Sequence, residues 1–155
     1  EQTSALGVER ISFFQAEKGE PSYAESRLWT TNEWMERIDR GVEQAFASFV
    51  PTCDLHVTLD QALSSAQREG AFKIALDNYE AAQALSAEDA DGKRPIVLAI
   101  GPERGWSASE RKNLRSRNFE MRHLGKRVLR METAVVASLG LLLSVYWPDA
   151  GSESS

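Results

Sequence analysis

Strand-like and helix-like segments alternate along this chain of 155 residues, and no other feature constrains its fold as strongly. Residues 95–100 (PIVLAI) form a continuous apolar run, which is typical of a strand buried on both faces of a sheet. Sequence patterns predict further strands over residues 8–14, 54–58, 71–76 and 119–124, and helices over residues 31–49, 59–68, 107–117 and 132–146. This order predicts an α/β fold with a mostly parallel sheet flanked by helices.

Length and composition indicate one folded domain. Single domains usually span roughly 100–200 residues, and a composition of 42% hydrophobic and 26% charged residues excludes a wholly disordered chain. The longest apolar run, residues 133–147, is shorter than the roughly 20 residues of a membrane-spanning helix and therefore predicts a buried core helix. The single cysteine, Cys53, cannot form an internal disulfide, which fits a cytoplasmic protein with no membrane association.

Charge is distributed unevenly along the chain. The net charge is −5, yet residues 111–130 contain eight basic residues and one acidic residue, which gives this stretch a charge of +7. Such a stretch is compatible with two interpretations: a surface that tracks nucleic-acid phosphates, or a solvated helix face with salt bridges. On charge alone, the salt-bridged face is the favoured interpretation.

Two loops follow predicted strands at the edge of the sheet where α/β proteins bind ligands. The first is IGPERGWS, residues 100–107, in which Gly101 and Gly105 permit a positive φ and close approach of a ligand. Its Glu103 precedes a helix N-terminus, where a negative charge is favoured. The second is LGKRVLRMETA, residues 124–134. Taken singly, each loop is equally compatible with a tight turn that leads into a capped helix.

Other chemical signatures are absent from the sequence. There is no dinucleotide fingerprint, phosphate-binding loop or nucleophile elbow. His56 and His123 lie on predicted strands without metal-ligand spacing, so we expect them to be structural and expect no metal site. Trp106 is the aromatic residue of most interest, because it adjoins the first glycine loop.

Together, the two loops resemble the paired motifs of the RsmE family, the uridine-N3 methyltransferases of small-subunit ribosomal RNA in the SPOUT superfamily. That family reads close to IGPEGG[FL]S and LGxR[IV]LRxETA at the same places. The likeness extends over about residues 5–147. Further matches lie at Leu6-Gly7-Val8, at Glu25-Ser26-Arg27-Leu28 with Trp34, and at Val42-Glu43-Gln44.

The resemblance implies a SPOUT-type α/β knot, in which a C-terminal segment forms a deep trefoil knot and two copies form a homodimer. It assigns residues 1–148 to the methyltransferase domain and leaves residues 149–155 as a flexible tail. Members of the family also carry an N-terminal PUA-like β-barrel that binds RNA. We expect that barrel to be absent from this chain, which would begin inside the helix that follows it.

The resemblance also implies the cofactor, the substrate and the residues that contact them. The cofactor is S-adenosylmethionine and the partner is small-subunit ribosomal RNA, methylated at N3 of a uridine. Arg130 is expected to hold an RNA phosphate or the base carbonyls, Glu132 to orient Arg130 or accept a proton, and Lys126 and Arg127 to contact the RNA backbone. The implied cofactor site consists of Leu76, Ile100, Gly101, Gly105, Leu124, Gly125, Val128, Leu129 and Thr133.

The chain departs from the family pattern at several positions, which leaves alternatives open. Arg104 replaces a glycine, Met131 replaces a threonine, Asp77-Asn78 replaces a His-Pro pair, and residues 45–49 lack an arginine. One alternative is a knotted enzyme that acts on transfer RNA. A second is a divergent knotted domain that binds cofactor or RNA without catalysis. A third, a nucleotide-binding α/β domain unrelated to methylation, is disfavoured by the paired motifs.

Overall fold

A computed structural model describes residues 8–19 and 52–146 of the chain. The helix predicted over residues 31–49 and the tail at residues 149–155 lie outside these ranges. The described elements are β1 (Arg10–Phe14), β2 (Thr52–His56), α1 (Leu59–Ser65), β3 (Phe72–Leu76), β4 (Ile96–Ile100), α2 (Ala108–Ser116), β5 (Glu120–Arg122) and α3 (Met131–Leu143). Short 3₁₀ turns occupy Ala87–Asp89 and Ser144–Tyr146.

All paired strands in the described part run parallel. β1 pairs with β2, and a separate three-stranded sheet has the order β4–β3–β5. In that sheet, Leu76 at the end of β3 is in register with Ile100 of β4 and with Arg122 of β5. The three strands therefore end at the same level, and the predicted α/β class with a parallel sheet is confirmed.

The strand predicted to be buried on both faces is less buried than expected. β4 lies at the edge of the three-stranded sheet as described, and Ala99 is its one residue in the buried class. The central strand is β3, where Ile74 and Ala75 are fully buried. An apolar run predicts that both faces of a strand are covered. How completely the strand is buried also depends on how many strands lie beside it.

Two apolar clusters cover the two faces of this sheet. One includes Ala75 and Ala99 together with Leu63 from α1 and Leu114 from α2. The other joins Ile74 to Leu142 from α3. Successive residues of β3 thus point into different clusters, as the twofold repeat of a strand requires. The helices therefore flank the sheet on both sides, as predicted.

The helix boundaries follow from identifiable caps. The Thr58 side chain accepts a hydrogen bond from the Gln61 amide at the start of α1. The capping box predicted before α2 is present, because Ser107 Oγ accepts from the Glu110 amide and Glu110 Oε2 accepts from the Ser107 amide. α3 begins after Arg130, whose side chain forms no capping hydrogen bond. Among the described helices, none is long and apolar enough to cross a membrane.

Candidate functional site

A cavity lies beyond the carboxyl ends of β3, β4 and β5. Three segments, one after each strand, form its walls, and they include both loops singled out by the sequence. Parallel strands that end at one level place their following loops side by side, which is why segments distant in sequence meet here. The lining residues are Leu76, Asp77, Asn78, Tyr79, Ile100, Gly101, Pro102, Glu103, Gly105, Arg122, His123, Leu124, Arg127, Val128, Leu129, Met131 and Ala134.

Most of the predicted cofactor residues lie in this cavity. The lining includes seven of the nine: Leu76, Ile100, Gly101, Gly105, Leu124, Val128 and Leu129. The other two, Gly125 and Thr133, are exposed neighbours of the wall and are not among its lining residues. The structure thus brings the predicted set together, while their role in binding a cofactor stays a prediction.

The predicted RNA-binding and catalytic residues lie on the loop before α3 and on its first turn. Arg127 lines the cavity, whereas Lys126, Arg130 and Glu132 are exposed neighbours of the lining residues along the chain. Arg130 is the N-cap residue of α3, and Glu132 lies in the first turn. Of these four residues, the structure places only Arg127 on the cavity wall.

Of the eight basic residues in the basic stretch, four arginines form ion pairs, whereas Lys112 and the last three form none within the described part of the chain. Ion pairs connect Arg111 to Asp77, Arg115 to Glu80, Arg117 to Asp60, and Arg122 to Asp89 and Glu120. For these four arginines, the interpretation as a salt-bridged surface is confirmed. Within residues 8–19 and 52–146, Lys126, Arg127 and Arg130 have no ion pair, so positive charge is available on the loop beside the cavity.

Gly101 is required by packing rather than by a left-handed backbone. A Cβ at this position would lie 2.8 Å from the ring of Trp106, and the φ of Gly101 is outside the left-handed region. Trp106 is fully buried, donates from Nε1 to the Leu76 carbonyl at 2.8 Å, and stacks on Phe14 at 5.9 Å between ring centroids. Gly101 therefore does not use the positive φ that a glycine permits, and Trp106 is a core residue that packs against two lining residues, Leu76 and Gly101.

Gly105 does adopt a left-handed conformation, with a φ of +80°. A Cβ there would come within 2.7 Å of the Tyr79 ring. The Tyr79 hydroxyl also donates to the Glu103 carbonyl at 3.1 Å. Tyr79 therefore joins the loop after β3 to the loop after β4, a contact that sequence analysis did not identify.

Asp77, directly after β3, is the most buried charged residue near the cavity, with 1% of its surface exposed. Arg111 donates to its two oxygens from Nε at 2.6 Å and from Nη2 at 3.2 Å. The amides of Tyr79 and Glu80 also donate to Oδ1. Burial opposes ionisation, but these hydrogen bonds and the Arg111 charge together hold the pKa of Asp77 below its ordinary value.

Glu103 caps a different helix from the one that its sequence position suggested. Its Oε1 accepts a hydrogen bond from the Met131 amide at 3.1 Å, at the N-terminus of α3 rather than of α2. The α2 end is already satisfied by its capping box, and Arg130 cannot cap α3 because a guanidinium has no acceptor. Glu103 thus links the first motif loop to the second.

His123 was expected to be a structural strand residue, and the structure gives it a more exposed position. It follows β5 in an isolated bridge to Ala84 and lines the cavity. Its Nδ1 accepts from the Gly125 amide at 3.1 Å, which requires that this nitrogen carry no proton. In the described part of the chain, no group of three His, Cys, Asp or Glu side chains could hold a metal ion.

Comparison with known proteins gives the family of the chain. A family model described as an RNA methyltransferase domain matches residues 1–143. The chain belongs to the RNA methyltransferase domain family. The paired loops that lined the cavity therefore lie in a recognised RNA methyltransferase domain, and the resemblance drawn from them is confirmed by the relatives described next.

Two curated relatives of this RNA methyltransferase domain carry the same name. The chain is 26% identical over 138 residues to Ribosomal RNA small subunit methyltransferase E 1 of Borreliella burgdorferi, covering 88% of the chain and 57% of the relative. It is 30% identical over 151 residues to Ribosomal RNA small subunit methyltransferase E of Treponema pallidum, covering 91% of the chain and 54% of the relative. The chain thus spans about half the length of these relatives.

Solved structures share the fold of this RNA methyltransferase domain. A Ribosomal RNA small subunit methyltransferase E from Neisseria gonorrhoeae, bound to S-adenosyl methionine, superposes with a TM-score of 0.71 at 24% identity, covering 93% of this chain and 58% of that one. A putative methyltransferase from Legionella pneumophila, in complex with the cofactor SAM, superposes with a TM-score of 0.70 at 28% identity, covering 93% and 59%.

Proposed function

We propose that this chain binds S-adenosylmethionine in the described cavity and methylates N3 of a uridine in small-subunit ribosomal RNA. The observation that carries the proposal is that both motif loops line one cavity at the carboxyl ends of three parallel strands. The names of the two curated relatives support the substrate, and the Legionella structure, which is titled as a complex with SAM, supports the cofactor.

The chemistry of the lining fits this cofactor. S-adenosylmethionine combines an apolar, planar adenine with a cationic sulfonium and an amino-acid end that carries both charges. The cavity offers apolar side chains, including Leu76, Ile100 and Leu129, for the adenine. It also offers the carboxylate of Glu103 for a cation.

The residues at the start of α3 would act on the RNA. When bound, the cofactor supplies an electrophilic methyl group, so the protein chiefly has to orient the uridine and remove its N3 proton. We assign Arg130 to an RNA phosphate or to the uracil carbonyls, where its charge stabilises the anion that remains after proton loss. Glu132 orients Arg130 or accepts the proton, and Lys126 and Arg127 hold the RNA backbone.

A knotted C-terminal segment and a homodimer belong to the same proposal. α3 buries Leu142 in the cluster that contains Ile74 of the sheet, yet leaves Val136 73% exposed. A second copy of this chain is the partner that we assign to the side of α3 that carries Val136. Residues 1–148 would form the methyltransferase domain, and its ribosomal RNA substrate would place it in the cytoplasm. Sedimentation at micromolar concentration should show a dimer, and a monomer would contradict this part.

Two measurements on the 155-residue chain test the activity. Calorimetric titration with S-adenosylmethionine should show one specific site, and transfer of a labelled methyl group to small-subunit ribosomal RNA should follow. Arg130→Ala should abolish transfer while cofactor binding stays within a few-fold of the unsubstituted chain. Binding without transfer to ribosomal or transfer RNA would favour the non-catalytic alternative, and unchanged transfer by Arg130→Ala would contradict the role of that residue.

A further inference from the structure

Tyr79 is an exposed aromatic side chain on the wall of the cavity. It follows β3 by three positions, lines the cavity, and keeps 57% of its surface accessible. A tyrosine side chain combines an apolar ring with a polar hydroxyl, so an exposed ring on a cavity wall is available to contact a bound group. Sequence analysis gave no role to this residue.

The Tyr79 ring is held in place from two directions. One side lies against Gly105, where even a methyl group would come within 2.7 Å of the ring carbons. At the far end, the hydroxyl donates to the Glu103 carbonyl at 3.1 Å. A ring fixed in advance loses little conformational entropy when a second planar group stacks on it.

The surroundings of the ring suit a nucleotide. Asp77, two residues before it, is neutralised by Arg111, so its charge does not repel phosphates from this wall. The unpaired Arg127 lies on another wall of the same cavity. Proteins that bind single-stranded nucleic acid combine aromatic stacking faces with positively charged side chains in this way.

We propose that the Tyr79 ring is a stacking platform for a nucleobase in this cavity. The inference rests on the proposed function, which supplies two sources of a nucleobase: the adenine of the cofactor and a base of the RNA. Both present the same flat π face. The platform acts through one side chain, whereas the close approach permitted by Gly101 and Gly105 would bring a ligand against the backbone.

Two substitutions separate the ring from the hydroxyl. Tyr79→Phe keeps the stacking face and should leave affinity within about twofold of the unsubstituted chain, whereas Tyr79→Leu keeps an apolar contact with Gly105 but removes the face. Because stacking on an aromatic ring contributes about five- to 150-fold in affinity per base, Tyr79→Leu should lose a factor in that range. Tyr146→Leu, a tyrosine substitution outside the cavity lining, is the matched control and should change nothing.

Two titrations of the full chain identify the source of the base. Calorimetry with S-adenosylmethionine tests the adenine, and fluorescence anisotropy with a short uridine-rich single-stranded RNA tests the substrate base. If Tyr79→Leu loses affinity for only one of the two ligands, the result supports the platform and identifies the ligand whose base stacks on it. The inference would be overturned if Tyr79→Leu bound each ligand as tightly as the unsubstituted chain does. It would also be overturned if Tyr79→Phe lost as much affinity as Tyr79→Leu. Either result would leave the proposed function standing. If the unsubstituted chain bound neither ligand, both the stacking platform and the proposed function would be overturned.

Discussion

The guanidinium of Arg111 and the carboxylate of Asp77, a residue of the cavity lining, form a two-point ion pair, and Asp77 has 1% of its surface exposed. Asp77→Asn removes the charge but keeps the shape, which leaves the mostly buried Arg111 with only the more distant Glu80 carboxylate. We expect the free energy of unfolding to fall by about 3 kcal/mol. Urea denaturation measures this, with Arg115→Gln as the control, because that exposed pair should contribute less than about 1 kcal/mol.

The same ion pair predicts a pH dependence. The folded-state pKa of Asp77 lies below its ordinary value of 3.8, so its stabilising contribution is fully present above that pH and is lost as pH falls toward the lower folded-state pKa. The difference in unfolding free energy between the unsubstituted chain and Asp77→Asn should therefore be constant from pH 7 to about pH 5 and shrink below pH 4. A difference that grows in acid would contradict this. The pKa values of Asp54, Asp60 and Asp91 are also lowered, so these residues contribute to the pH dependence of both proteins. Taking the difference between the two unfolding free energies at each pH removes that shared contribution.

Substitution of Gly105 by alanine should lower the free energy of unfolding more than the same substitution at another left-handed glycine. Gly70 has a φ of +71° and open space around it, whereas Gly105 has a φ of +80° and faces the Tyr79 ring. Gly70→Ala should cost about 1 kcal/mol in backbone strain. Gly105→Ala should cost about 1 kcal/mol more, because the ring has to leave its hydrogen bond to the Glu103 carbonyl. Thermal unfolding compares the two, and equal losses would show that the ring adapts freely.

Glu103 should control the opening of the first turn of α3. Its carboxylate is the acceptor for the Met131 amide, one of the helix-start amides that have no partner within the helix. Glu103→Ala should speed hydrogen exchange of this amide by about three- to tenfold, whereas Glu103→Gln, which keeps an acceptor oxygen, should recover much of the protection. Glu69→Ala, at another exposed glutamate, is the control. Unchanged exchange in Glu103→Ala would show that the cap contributes nothing.

The unpaired cations beside the cavity should govern the salt dependence of RNA binding. Arg127→Ala should weaken binding to single-stranded RNA at low salt and reduce the slope of log affinity against log salt by about 0.7–1. Arg115→Ala removes the same charge from a paired site and should leave the slope nearly unchanged. Equal slopes for the two variants would indicate that the contact surface lies elsewhere.

Local sequence signals predicted the elements and the position of the cavity. The capping box at Ser107 and Glu110 involves neighbours three residues apart, and the apolar run of β4 needs no knowledge of distant residues. The structure therefore contains this capping box and this strand where the sequence predicted them, apart from shifts of a few residues at the ends of the elements. Because loops that follow parallel strands lie at one edge of the sheet, the sequence also placed both loops at the same cavity, while their role in ligand binding stays a prediction.

Interactions between distant segments could not be predicted in the same way. Asp77 stood out only as a departure from the family pattern, because its partner Arg111 is 34 residues away. The need for a glycine at position 101 comes from a ring that folds back on it, and the neutralisation of four arginines depends on carboxylates in other elements. Charge counting along the chain therefore overstated the basic surface.

The walls of the cavity are made in a fixed order during synthesis. Leu76 and Ile100 leave the ribosome first, and the last wall, which reaches Ala134, follows only near the end of the described chain. A nascent chain that stops before Arg122 has only two of the three walls. Ligand binding stabilises only states that already contain the site, so the cofactor cannot assist the early folding intermediates of a growing chain. The parallel strands must first find their register unaided.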